Sequence, residues 1–361
     1  MSEEELPGGN TVGAVRIDGV VHKRASPWTS TVHALLRHLE DAGFDGAPRA
    51  LGFDEQGREM LTYLPGEVIG ERVPWPGWAF ADQTLVQVAQ WLRRLHDLTA
   101  DFRPPPDETW FAGASMGPGM VIGHQDAAPY NAVMDGDRLA GFFDWDTAGP
   151  STREFDLAFA ALSWVPLYAS GAARHLGFPD SADRSRRLHL FLDSYGYHGD
   201  RSAFGAVVVQ RARKQAAVIR RMAAAGAPAG TALLPVAGNL EQSADETEAL
   251  PADFWTPAAV RGVVRFWHPD EGWGVIDADE TPGGCWAFFG AAAMPGYVSF
   301  AAGDVVALEW AAPGQDGWPY RAVRFWPYGA EPVERRSFPG GAGYHSTLTL
   351  TFDGPDETKE D

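Results

Sequence analysis

The chain is short of cysteine, of positive charge and of long unbroken apolar sequence. Its one cysteine, Cys285, excludes an internal disulfide and any cysteine-built zinc site, and fits a reducing compartment. Lys and Arg number 29 against 48 Asp and Glu, a net charge of −19, so bulk electrostatics work against nucleic acid and anionic membranes. The most apolar window, LAFAALSWVPLYASGAA from Leu157, is slightly short for a bilayer and is broken by Ser and Pro, so a buried helix is expected. The acidic opening MSEEELPGGN has no apolar signal core. No unit repeats. These absences lead us to expect a cytoplasmic protein without a membrane partner.

What is present is enough for several cores: 361 residues, of which 45% are hydrophobic. The expected class is α+β. Residues near 11–64 read as a β-rich lobe with one helix. Two strands meet at Asp18-Gly19, a favourable hairpin dipeptide. A helix follows with Thr29 or Ser30 as N-cap, apolar residues at Val32, Leu35, Leu36 and Leu39, and a stop at Gly43. RALGFDEQGREMLTYL reads as another hairpin, PGEVIGERVPWPGWAF as a hinge, and DQTLVQVAQWLRRLHDLTADF as an amphipathic helix. Residues 152–225 read as mostly helical, and the stretch from Gly226 to Pro257 as part helix, part linker. Short β runs rich in Trp and Gly begin at Ala258. The tail from Tyr328 is Gly, Pro and charge, with one strand-like run, STLTLTFDG.

The chemistry concentrates between Val121 and Ala160. In HQDAAPYN, Asp126 and Asn131 lie on a loop, because Pro129 blocks a regular helix. Asp144 follows at the end of the apolar strand LAGFF. Those three oxygens can converge on a hard divalent cation and a hydroxyl nucleophile, as phosphoryl transfer requires.

HQDAAPYN followed by FFDWD resembles the HxDxxxxN and (I/F)DW(D/E) motifs of the aminoglycoside phosphotransferase and choline kinase group, a branch of the protein-kinase-like fold. The resemblance extends over about residues 11–250 and takes in LPGE, LRRLHDL and DLA. It implies a two-lobed fold and ATP with Mg²⁺, GTP being the other nucleotide possible. Asp126 would be the base, with His124 holding its loop and Asp156 bracing it. Asn131 and Asp144 would be the metal ligands. Asp146 would lie behind them or touch substrate, with an aminoglycoside-type hydroxyl compound as acceptor. Tyr130 and Trp145 read as packing. The alternative to catalysis is a silent kinase-like binding or immunity protein.

The small lobe departs from that pattern. Glycines gather near the first hairpin, yet no GxGxxG appears. Lys23 is the expected phosphate contact, with Arg24 as its rival. The helix position at which the group often carries the lysine's glutamate holds His33, and Glu40 lies near the helix's far end. Acidic residues of the helical lobe, Glu154 and Asp193 among them, are compatible with a cationic acceptor, though solvated surface charge is the default for both.

A second resemblance covers about residues 260–327. GVVRFWHPDEGWGVI, CWAFF and GDVVALEW are similar to strands of the cold-shock domain, a small β-barrel of OB type. It implies single-strand stacking on Phe266, Trp273, Trp286 and Phe288. Between Ala258 and Ala330, however, four arginines face eight carboxylates, a net of −4, so phosphate would be repelled. Packing, or weak binding of single strands, are the two readings. The expected division is 1–66 (nucleotide lobe), 67–250 (helical lobe), 258–330 (barrel) and 331–361 (acidic tail).

Overall fold

The computed structural model describes residues 3–6, 13–179, 183–255, 259–295, 299–311 and 314–333. STLTLTFDG and most of the acidic tail lie outside the described residues.

The small lobe is an antiparallel sheet in the order β1 (Glu3–Leu6), β2 (Ala14–Ile17), β3 (Val20–Arg24), β5 (Arg58–Thr62), β4 (Ala50–Phe53), with helix α1 (Thr29–Asp41) packed on it. The Asp18-Gly19 turn forms as expected, both residues at positive φ (49° and 86°), a conformation that Asp tolerates and Gly adopts freely. Helix α1 already includes Thr29 and Ser30, and Trp28 holds the N-cap position, so neither expected residue is the cap. No side chain caps it; the Thr29 hydroxyl instead accepts from the Ser26 amide at 2.9 Å, closing the turn around Pro27. The edge strand β1 lies before the β-rich stretch read from about residue 11, in a sequence too acidic to announce a strand.

Pairing of β3 with β5 sets Lys23 opposite Glu59. The hinge then meets the large lobe directly: Glu67 and Met134 exchange backbone bonds of 2.7 and 2.9 Å. Gly66 permits this approach, since a Cβ there would lie 2.5 Å from the Met134 carbonyl and its φ is +149°.

The large lobe is built on α2 (Asp82–Thr99), which packs against the small two-stranded sheets β6 (Val121–Gly123) with β9 (Gly149–Ser151) and β7 (Ala132–Asp135) with β8 (Arg138–Phe142). Helices α3 (Arg153–Trp164), α4 (Ser170–Leu176), α5 (Arg184–Tyr195) and α6 (Arg201–Ala224) follow. The apolar window becomes α3 and the turn after it, buried from Leu157 to Leu167. Beyond α6, the sequence expected to be part linker is largely helical: α7 (Pro228–Ala232) and α8 (Leu234–Glu248), the latter packed along α6. Trp255 then plugs into the large-lobe core against Gly205.

The C-terminal unit is a closed five-stranded barrel of β10 (Val260–His268), β11 (Trp273–Asp277), β12 (Cys285–Phe288), β14 (Tyr320–Pro327) and β13 (Val305–Ala311), in that order. Its interior holds Val264, Trp267, Ile276, Cys285, Ala287, Val306, Leu308 and Phe325. The alternate positions carry the expected aromatics outward: Trp273 faces Phe288 across β11–β12, and Trp286 lies parallel to Phe288 at 5.8 Å. Phe266 joins them 5.7 Å from Trp273. The fold is thus α+β, a two-lobed body followed by a barrel.

Candidate active site

Backbone strain marks the loop first. Gln125 adopts φ 61° and Asp144 φ 60°, left-handed conformations rare outside glycine and often kept where function demands them. The surrounding structure holds this loop by bonds to its backbone. The Gln125 amide donates to Asp156 Oδ1 at 2.7 Å, and the Gln125 carbonyl accepts from Arg211 Nη2 at 2.9 Å. Trp164 donates its indole N–H to the Ala127 carbonyl at 2.8 Å, and Thr147 its hydroxyl to the His124 carbonyl at 3.1 Å. Gly123 is required just upstream, because a Cβ would lie 2.5 Å from the Asp156 carboxyl carbon.

His124 is fully buried among Trp91, Phe142 and Trp145. Its Nδ1 accepts from the Asp126 amide at 3.3 Å, which leaves Nε2 to donate to the Phe143 carbonyl at 3.1 Å. Burial lowers its pKa, so the ring is neutral and ties the Asp126 loop to the Asp144 strand. Trp145 is packing, as expected, but Tyr130 is not: its hydroxyl donates to Asp126 Oδ1 at 2.6 Å.

Asp126 accepts a second bond, from Asn131 Nδ2 to Oδ2 at 2.9 Å. Burial pushes its pKa up to about 7 and the Asp144 charge adds to this, against the opposing bonds from Tyr130 and Asn131. Asp156 is buried and held below the ordinary carboxylate range. Burial alone would raise it, but the His96 ring at 2.9 Å and the Gln125 amide outweigh that penalty.

Lys23 closes the other side. Its Nζ lies 3.0 Å from Asp146 Oδ1, 3.2 Å from Glu59 Oε1 and 3.4 Å from Asp144 Oδ1. Burial would depress the ammonium's pKa, but the three carboxylates hold it above its ordinary value. The side chain is only 12% exposed, so Lys23 is no surface residue. The lysine does have a glutamate partner, and it comes from β5 rather than from the helix; His33 of α1 reaches the same carboxylate at 3.2 Å. Arg24 does not rival Lys23: neighbouring strand residues face opposite ways, and Arg24 is exposed at the end of β3, opposite Arg58. Asp193 is not a solvated surface charge either; it is buried and paired with Arg201.

The donor set suits a hard cation delivered with phosphate. Asn131 spends its N–H on Asp126 and keeps its amide oxygen, while the Asp144 carboxylate remains 39% exposed. Among the described residues no three His, Cys, Asp or Glu gather into a metal cage. Sequence reasoning missed Glu59, Arg211, His96 and Trp164. Glu59 had no signal until the β3–β5 register was known, and Arg211 is one of several cations in a basic helix.

On the barrel, Phe266, Trp273, Trp286 and Phe288 do share one face, but Arg265 is tied to Asp277 and the Trp273 indole donates to Glu271 Oε2 at 2.6 Å. No described helix is long and apolar enough to cross a membrane.

Residues 114–189, which contain both motif loops, match the model described as "Phosphotransferase enzyme family", APH. The trifolitoxin immunity protein of Rhizobium leguminosarum bv. trifolii is 40% identical over 196 residues, 53% of this chain and 73% of that protein. Among solved structures, a choline/ethanolamine kinase family protein from Mesorhizobium loti is similar at 15% identity and TM-score 0.48, over 70% of this chain and 89% of that one. An amicoumacin kinase solved with AMP-PNP, Ca²⁺ and its ligand is similar at 11% identity and TM-score 0.49, over 70% of this chain and 91% of that one. With the family model seated on the loops just described and a relative this similar over most of its length, the chain belongs to the phosphotransferase enzyme family.

Proposed function

We propose that the chain transfers the terminal phosphoryl group of ATP, carried with Mg²⁺, to a hydroxyl of a small molecule; GTP is the alternative donor. The observation that carries this reading is the convergence of Lys23, Asp144 and Asp146 beside the Asp126–Asn131 loop. In this reading Lys23 contacts phosphate, with Glu59 fixing its direction. Asn131 and Asp144 hold the metal, which when bound neutralises charge on the phosphates. Asp126 orients the acceptor hydroxyl and receives its proton, and a pKa near 7 suits a group that must accept and then release a proton. His124, Asp156 and Arg211 keep that carboxylate in place, and Asp146 steers Lys23.

The relative's name, immunity protein, supports a toxic compound as the acceptor. An aminoglycoside-type acceptor rests on the resemblance alone. The same name favours a second reading, a silent kinase-like protein that binds its target without modifying it. We take the working units to be 1–66, 67–250 and the barrel at 258–330, with 331–361 as an appended acidic tail. We assign the barrel's aromatic face no role with nucleic acid.

Thermal melting with ATP or GTP, with and without Mg²⁺, on wild type and Asp144→Ala tests the proposal. A ligand that binds the native state raises the melting temperature by mass action. A Mg²⁺-dependent rise that Asp144→Ala abolishes is expected. No rise at millimolar nucleotide would overturn the phosphotransferase reading and leave the binding protein.

A further inference from the structure

Tyr130 has no part in the reading above, yet its phenol makes the shorter of the two side-chain bonds to Asp126. Oη donates to Oδ1 at 2.6 Å while Asn131 occupies Oδ2 at 2.9 Å. Both oxygens of the proposed base are thus engaged by the chain itself. A hydroxyl donating to a carboxylate oxygen at hydrogen-bond distance is the arrangement an acceptor hydroxyl must adopt before it gives up its proton. Backbone geometry fixes the tyrosine there. Pro129 starts the short turn Pro129–Asn131, in which Pro129 and Asn131 are buried while Tyr130 is 38% exposed. The residue is therefore partly exposed while its hydroxyl bonds the carboxylate.

We infer that Tyr130 is a placeholder for the acceptor. On the phosphotransferase reading, its hydroxyl occupies the acceptor's position on Asp126 until an acceptor displaces it. It thereby denies the carboxylate to water while nucleotide is bound alone. The reaction it suppresses is hydrolysis. A water oxygen would bond to the terminal phosphorus, the bond from that phosphorus to the bridging oxygen would break, and the water proton would pass to Asp126. Nucleoside diphosphate and inorganic phosphate would be lost without a phosphorylated product. Tyr130 acts through Asp126 and is a positioning residue, one that also selects acceptors whose hydroxyl competes with a phenol for this oxygen.

The test is phosphate release from Mg·ATP without acceptor, using the full chain as wild type, Tyr130→Phe, Tyr130→Leu and Asp126→Asn, with melting curves alongside. We expect Tyr130→Phe to keep the wild-type nucleotide shift and release phosphate about tenfold faster, equivalent to ~1.4 kcal/mol. Tyr130→Leu should match it, and adding Asp126→Asn to either should remove the gain. Release at or below the wild-type rate in both tyrosine variants, with the nucleotide shift intact, would overturn the placeholder. Phosphate found on Tyr130 of the wild type by mass spectrometry would also overturn it, since the phenol would then be an acceptor. Absence of any nucleotide shift in wild type is a separate failure, because it removes the phosphotransferase reading itself.

Discussion

Lys23 and Glu59 face each other in register across β3 and β5, with Nζ 3.2 Å from Oε1. A helix-borne glutamate can be withdrawn by moving its helix. This one sits on the strand next to the lysine, so the pair is fixed by the sheet itself.

Lys23→Met should therefore be costly to the fold as well as to nucleotide binding. It strands Glu59, only 3% exposed, without its cation, and breaking a buried pair in this way costs about 3–5 kcal/mol. Lys23→Met with Glu59→Gln should recover much of that stability without restoring the Mg²⁺·nucleotide melting shift. Equal stability of the single and double variants by urea unfolding would refute the pairing.

Asp156→Asn tests the brace through pH. The native carboxylate is held below its ordinary value, so the unfolded state binds its proton first as the solution is acidified. Its contribution is therefore present above the unfolded pKa and is lost as pH falls through the native one. Wild type should exceed Asp156→Asn in stability at pH 7, and the gap should narrow below about pH 4. A gap that stays constant down to pH 3 would contradict the assignment.

Arg211→Lys probes the clamp from α6. Arg211 donates to the Gln125 carbonyl and lies 4.5 Å over the Phe159 ring, and a lysine lacks the planar fork for both tasks. Turnover should fall by about tenfold, as for loss of ~1.4 kcal/mol of positioning. Nucleotide affinity should change little. If affinity falls in step with turnover, Arg211 serves binding rather than loop geometry.

For the barrel we expect no retention on single-stranded DNA at physiological salt. Stacking on Trp286 and Phe288 is worth about 1–3 kcal/mol per base, but phosphate neutralisation normally carries the affinity, and Arg265 is already spent on Asp277. Fluorescence anisotropy showing micromolar binding that weakens with salt would reverse this.

Much of the site was legible because HQDAAPYN and FFDWD are local. Pro129 enforces a turn, and an apolar strand sets the distance to Asp144, so composition and spacing carry the geometry. What could not be read depends on pairing at a distance. Glu59 lies 36 residues from Lys23, and only the β3–β5 register makes them neighbours. Arg211 comes 86 residues after the carbonyl it holds. Tyr130 was misread because a tyrosine beside a buried asparagine looks like packing until its hydroxyl is placed. Asp193 was misread because its cation, Arg201, opens the next helix.

Gly66→Ala would press a methyl group into the Met134 carbonyl at a backbone angle that alanine rarely adopts. A cost of about 1–3 kcal/mol is expected, with weakened nucleotide binding, by urea unfolding and melting shift. Wild-type behaviour in both would show that the hinge can give way.

The two hydrogen bonds between Glu67 and Met134 carry one more consequence. Met134 belongs to β7, the strand that leaves Asn131 directly. The hinge is therefore tied to the strand that anchors the proposed metal ligand. On the proposed reading, a displacement of the hinge at Glu67 would reach that amide through one short strand, so the hinge backbone and the metal ligand would share a single rigid support.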